Sequence, residues 1–266
     1  MGNLVIASPV LSDAATLTAS SEVATLLASS LQKIQPGDRW RSTAVANSFL
    51  TADLGSAQAI DLIALLHSNA SGTATWQIRG ATSEANLTAA PGYDSGAITL
   101  WPATGLEDWD FVHGIHFIAA AQSFQWWRVD VNDASNADGH IQAGRLYIAA
   151  AWQPTDNMIF GAAIGWQDFA PKRRSLGNQI YPIQRTPARV FDLTLDLLTE
   201  TEMFANGFTL DRLRGTARDI LLIRDPDAAA QVQNQTVYGL FSELPPVVFA
   251  EFDAFEKRFR IEEMLP

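Results

Sequence analysis

The stretch Ser123–Val131, SFQWWRVDV, sets two tryptophans side by side. In an extended chain neighbouring side chains point to opposite faces. Trp127, Val129 and Val131 then share one face, and Phe124, Trp126, Arg128 and Asp130 share the other. The first set is wholly apolar; the second mixes aromatic rings with charge. A strand of this kind buries one face and offers the other to solvent, a loop or a neighbour, as strands of antiparallel sheets do.

The surrounding sequence supplies more such strands. Phe49–Gly55 (FLTADLG), Ala59–Ser68 (AIDLIALLHS), Ala74–Ser83 (ATWQIRGATS), Ile115–Ala121 (IHFIAAA) and Ile141–Trp152 (IQAGRLYIAAAW) are short apolar or alternating runs. Clusters of Gly, Asn, Ser, Pro and Asp between them mark turns. Many short strands without long helical periods predict a mainly β fold, with an antiparallel jelly-roll sandwich over residues 1–152. Trp40, Trp76 and Trp127 lie in apolar strand contexts and are assigned to its core. The opening LSDAATLTASSEVATLLASSLQ, rich in small polar residues, reads as an N-terminal arm wrapping this domain.

Residues 153–182 break the pattern with Pro, Gly and the run Lys172-Arg173-Arg174, and are read as a linker or excursion with a solvated basic face. Residues 183–266 predict a small, barrel-like α+β domain with one helix. RVFDLTLDLL places Phe191, Leu193, Leu195 and Leu197 on one face. Thr199 followed by Glu202 has the form of a capping box, Met203, Phe204, Leu210 and Leu213 make the helical stripe, and Gly215 a C-cap. DILLIRDPD, TVYGLFSEL and the alternating AFEKRFRIEE complete the order strand, helix, strand, strand, strand.

Composition narrows the function. With 47% hydrophobic and 18% charged residues the chain is globular rather than disordered. A net charge of −11 argues against nucleic acid and against an anionic membrane surface, and no apolar run approaches a membrane span. Six of the 18 basic residues fall in residues 1–150, so arginine concentrates in the second half, where interfaces tolerate it. The absence of cysteine excludes disulfides, zinc thiolates and a cysteine nucleophile. The start carries no cationic leader, which predicts a protein made in a cytoplasm.

Motifs for catalysis are thin. No GxSxG, Walker A, GxGxxG or HExxH occurs, so the expectation is no enzyme, no cofactor and no metal. His113 and His116 fall on opposite faces of a strand, and DVNDASNADG (Asp130–Gly139) lacks the spacing of a calcium loop and reads as a turn held by side-chain to backbone bonds. Tryptophan beside polar groups in a loop is what sugar-stacking sites use. LWPATGLEDWD, punctuated by Pro and Gly, offers Trp101, Asp108 and Trp109 as exposed candidates for a glycan loop.

Two resemblances follow. Trp40, Asp53-Leu54-Gly55, Ile60–Leu66 and Trp126-Trp127-Arg128-Val129, in that order, resemble a discoidin (coagulation-factor C-type) domain, which implies a jelly roll used for binding glycans or other surfaces; the usual cysteines of that family are missing here. The second half, with RVFDLTLDLLTETE, a Gly-closed helix, ARDILLIRDPD and TVYGLFSEL, resembles the C-terminal unit of tail-tip proteins of long-tailed bacteriophages. That resemblance implies a structural protein of the virion's distal tail or baseplate, assembled as a homo-oligomeric ring (a hexamer or trimer) beside tail-tube and hub proteins. A sugar-binding module of a non-viral carbohydrate-active protein is the alternative. Trp126 and Arg128 are candidate contacts to a neighbour, and Arg258 and Arg260, on a terminal strand expected to be a sheet edge, are candidates for the ring contact.

Overall fold

The computed structural model describes residues 2–102, 111–251 and 254–266. The chain divides into two compact units: residues 1–153 with 224–234 and 266, and residues 154–223 with 235–265. The second half of the sequence thus returns one segment, 224–234, to the first unit.

The strands of the first unit are β1 (Val5–Val10), β2 (Thr16–Ala19), β3 (Trp40–Arg41), β4 (Ser48–Ser68), β5 (Thr75–Ala81), β6 (Tyr93–Asp94), β7 (Ile98–Thr99), β8 (Val112–Asn132), β9 (Gln142–Ala143) and β10 (Arg145–Trp152). Two of them explain the architecture. β4 and β8 are each 21 residues long and pair antiparallel through three irregularities of register. The first half of β4 pairs with β2, and the C-terminal half of β8 with β5. The second half of β4 pairs with β10, which pairs with β1. One pair of bent strands therefore serves both layers of a jelly-roll sandwich. Leu50, Trp76 and Trp127 from one layer meet Ile63, Leu146 and Ile148 from the other in a single apolar cluster. Trp40, Trp76 and Trp127 are buried, as their strand contexts predict. The segment 224–234 closes on this unit through Gln233, whose Oε1 accepts from His113 N (2.9 Å) and whose Nε2 donates to His113 O.

The second unit holds β11 (Ala163–Gln167), β12 (Lys172–Arg174), β13 (Ile180–Pro182), β14 (Ala188–Leu198), β15 (Asp219–Ile223), β16 (Thr236–Phe241), β17 (Val248–Glu251) and β18 (Ala254–Glu263). Its main sheet runs β11-β14-β18-β16-β15, with β17 also on β18, while β12 and β13 form a separate exposed hairpin. Phe255, Phe259 and Ile261 of β18 face the core with Phe191, Leu193 and Leu195 of β14. Thr199 caps the helix, its side chain accepting from Glu202 N, while Glu202 Oε1 accepts from Thr155 N at 2.8 Å. Gly215, at φ 54°, closes the helix with its N–H on Asp211 O.

Four expectations need correction. The terminal strand β18 is not an edge: β14 flanks one side, and β16 and β17 share the other. Leu197 leaves the apolar face, because a bulge after Leu195 puts it at φ 58° and turns Leu198 inward instead. The helical stripe slips as well: a π-helical turn at Met203–Gly207 keeps Met203 and Leu210 buried and leaves Phe204 and Leu213 exposed. Residues 153–182 are more than a linker, since β11 adds a strand to the sheet of the second unit.

Candidate functional site

The alternation in SFQWWRVDV holds from Trp126 onward. Trp127, Val129 and Val131 are buried, and Trp126, Arg128 and Asp130 stand half-buried on the outer face. Phe124 departs from the expectation. A register shift between the Trp126 and Phe124 pairs turns its ring toward the core, 6.0 Å from Trp127. Glycine makes the room: a Cβ at Gly92 would lie 2.4 Å from the Phe124 ring, and one at Gly80 2.8 Å from it.

Across the outer face, the pairing aligns Thr51, Arg128 and Arg79 in one row, and Phe49, Asp130 and Gln77 in the next. Long polar side chains in adjacent rows meet diagonally. Arg128 donates from Nε (2.9 Å) and Nη2 (2.7 Å) to Asp130 Oδ1, and its guanidinium carbon lies 3.5 Å from the centre of the Phe49 ring. Arg79 Nη2 donates to Asp130 Oδ2 at 2.6 Å, and its Nη1 to Leu87 O at 3.2 Å. One carboxylate thus orients two guanidinium groups, and a ring lies under one of them. Gln77 donates to Asp94 Oδ1 (2.7 Å) on one flank, and Gln125 to Asp53 Oδ1 (2.8 Å) on the other. Trp126, opposite Asp53 and Ala81, completes the surface. Charge-assisted bonds of this kind fix donor directions before any ligand arrives.

Trp101 is not exposed. It is buried, and its Nε1 donates to the carbonyls of Ala70 and Ser71, each at 3.1 Å. A ring pinned there cannot stack on a sugar; it closes the turn after β4. Asp108 and Trp109 lie outside the described residues. The Asp130–Gly139 stretch is the side-chain-braced turn its composition predicts. Asp133 accepts from Ser71 N and Asn136 Nδ2, and Asn136 Oδ1 accepts from Asp138 N.

His113 and His116 diverge as their spacing requires. His113 Nδ1 accepts from His67 N at 3.2 Å, and His116 Nε2 meets Tyr93 Oη at 2.6 Å. Burial pushes the His116 pKa below its usual 6.5. No group of metal-ligating side chains gathers among the described residues. A concavity of about 310 Å³ lies between Leu100, Pro102, Ile115, Phe117, Pro226 and Val232. Its lining is mostly apolar, which suits a sugar poorly because buried hydroxyls need partners.

Arg258 donates from Nε (2.8 Å) and Nη2 (2.5 Å) to the two carboxylate oxygens of Asp192 on the neighbouring strand, and Arg260 stands directly opposite Asp192. The Arg258 guanidinium holds the Asp192 carboxyl below the usual range. Sequence reasoning missed Phe49, Arg79 and Asp130. Their alternation was visible, but which strands lie beside β8 was not.

No family model and no curated protein matches the chain. Among solved structures, it is similar to the family 32 carbohydrate-binding module of NanJ from C. perfringens in complex with galactose, at 15% identity and a TM-score of 0.41, covering 55% of this chain and 99% of that one. It is similar to chitosan-binding module 1 of a chitosanase/glucanase from Paenibacillus sp. IK-5, at 18% identity and a TM-score of 0.39, covering 53% and 98%. A further similar structure is a Clostridium perfringens module in complex with GalNAc-β-1,3-galactose, at 12% identity and a TM-score of 0.39, covering 53% and 99%. The sugars are ligands of those modules, and at these values they say nothing of what this chain binds.

Proposed function

We propose that the protein is a non-catalytic carbohydrate-binding protein, whose first unit contacts a glycan through its outer face. One observation carries this reading: Asp130 holds Arg79 and Arg128 in fixed orientation beside the ring of Phe49, on the strand face that also carries Trp126. Sugars are recognised by aromatic faces against their apolar C–H surfaces and by oriented donors and acceptors against their hydroxyls. A sheet face that combines both, with the Arg79, Arg128 and Asp130 side chains 15–20% exposed, suits a chain end or side branch of a glycan. A glycan array with the full-length protein tests it, followed by calorimetry on a hit. The expected result is binding that Trp126→Ala weakens at least tenfold without lowering the melting temperature. Binding indifferent to Trp126, Arg128 and Arg79 together overturns the site, and an array without hits overturns the reading. Release of reducing sugar, abolished by changing Glu107 or Asp108, would overturn the non-catalytic part.

A second, finer reading makes this binder a structural component of a phage tail tip. Its support is the resemblance of the second half and the order of β14, a Gly-closed helix, β15, β16 and β18. Tape-measure and tail-hub genes beside the coding sequence are the expected observation; a neighbourhood of polysaccharide-degrading enzymes favours the module of a carbohydrate-active protein.

A further inference from the structure

Of 17 large apolar side chains exposed among the described residues, nine lie in the one stretch 159–183. Contiguous exposed apolar surface on a soluble protein marks a contact. The stretch includes β11, the last strand in the order of its sheet, and the β12–β13 hairpin. On β11, Ile164 and Trp166 stand opposite Phe191 and Arg189, so they continue the core-facing side of the sheet, yet remain 43% and 59% exposed. Phe160 and Leu176 are fully exposed. The same arm is basic: residues 159–183 carry Lys172, Arg173 and Arg174 against Asp168 alone, in a chain of net charge −11. An apolar, basic arm on an acidic protein is complementary to other copies of that protein.

An apolar receiving surface exists on the same unit. Phe204, Phe208 and Phe249 are exposed, and their rings join through Phe255: Phe204 to Phe208 at 5.8 Å, Phe204 to Phe255 at 5.6 Å and Phe249 to Phe255 at 4.9 Å. Glu200, exposed and four residues before Phe204, puts a negative charge at one end of the patch.

We propose that the 159–183 arm of one copy docks on the Phe204–Phe208–Phe249 patch of a second copy. The contact joins two different surfaces, so it repeats head to tail and closes into a ring where the rotation allows. It does not involve Arg258 or Arg260, and it stands apart from the glycan reading. An assembly of this kind presents several outer faces at once and raises avidity for a repeating ligand.

Size-exclusion chromatography with light scattering on the full chain tests this, at tens of micromolar protein and low salt. Wild type is expected to be oligomeric, and Trp166→Glu/Leu176→Glu and Phe208→Glu/Phe249→Glu each monomeric at about 29 kDa with wild-type circular dichroism. Mixing the two variants restores pairs and nothing larger, because each retains one intact half. A single Leu176→Cys in this cysteine-free chain keeps the test open where a double variant misfolds: a thiol-reactive benzophenone, which on illumination inserts into nearby C–H bonds, should join it to peptides of the 199–215 or 245–251 regions of another copy. A monomeric wild type, oligomers unaffected by both double variants, cross-links mapping elsewhere, or a mixture that stays monomeric overturns the proposal.

Discussion

Arg128 lies over Phe49, its guanidinium carbon 3.5 Å from the ring centre, while Nε and Nη2 both reach one oxygen of Asp130. A guanidinium held by a ring on one side and by two bonds on the other is rigid, so its remaining donors keep a defined direction. Lysine reproduces the charge but neither the plane nor the fork. Arg128→Lys is therefore expected to lower glycan affinity about tenfold and stability by about 1 kcal/mol, within the range of a partly buried cation–π contact. Calorimetry and urea denaturation measure the two effects, and a variant that binds as wild type does would remove Arg128 from the site.

Trp101 gives the opposite separation. Its Nε1 serves two carbonyls at the end of β4, so Trp101→Phe leaves Ala70 O and Ser71 O short of a donor in a buried place. The expected loss is about 1–3 kcal/mol, read as a lower urea midpoint, with glycan affinity unchanged. Reduced affinity at unchanged stability would return Trp101 to the binding surface.

How far the sequence could be read follows from what these residues have in common. Strict alternation placed Trp127, Val129 and Val131 in the core, because period two needs no knowledge of partners. It failed at Phe124 and Leu197, where a register shift or bulge moves a side chain to the other face without leaving a mark in composition. Arg79 and Phe49 meet Asp130 and Arg128 across strand pairs, and pairing is a long-range property. Trp101 was misread because Pro and Gly beside it signal a loop, and a loop residue can still point inward. The edge expectation for β18 took chain-terminal position for sheet position, yet a C-terminal strand that pairs with β14 on one side and with β16 and β17 on the other ends up in the middle.

Arg189 and Glu263 are both buried, and bond each other through Nε at 3.0 Å to either oxygen and again through Nη2, while Glu263 Oε2 also accepts from Arg189 N at 2.9 Å. Removing one partner strands the other charge in the core of the second unit. Arg189→Ala is expected to destabilise by about 3–5 kcal/mol. The double variant Arg189→Met/Glu263→Met should lose less than either single change, since a buried pair replaced by apolar groups forgoes its desolvation cost. Chemical denaturation of the three proteins decides; a double variant as unstable as the two singles combined would show that the pair acts by more than mutual neutralisation.

The first unit takes Gln233 from far along the chain. A fragment of residues 1–153 lacks it, and His113 then keeps neither its N–H partner nor its carbonyl partner from that side chain. The fragment is expected to fold but to melt several degrees below the corresponding transition of the full chain. Gln233→Leu in the full chain should destabilise that unit by about 2 kcal/mol, roughly 1 per hydrogen bond lost. Hydrogen exchange at the His113 amide separates the cases: protection as strong in the fragment as in the full chain would show that Gln233 contributes nothing to the strand.

His116 makes the first unit sensitive to acid. Burial lowers its pKa from 6.5 in the folded chain, and burial, followed by the nearby Asp94 carboxylate, raises that of Tyr93 from 10.0, so around neutral pH both members of the 2.6 Å pair are uncharged. Because the folded pKa lies below the unfolded one, the unfolded chain takes up the proton first as pH falls. The stability that neutral His116 contributes is complete above about pH 6.5, the unfolded value, and is lost as pH drops from there toward the folded value. His116→Phe removes the titration and the bond to Tyr93 together. Urea midpoints at pH 7.5 and pH 5.0 are expected to fall less for the variant than for wild type, even though the variant starts lower at pH 7.5. Equal falls would assign the acid sensitivity to other groups.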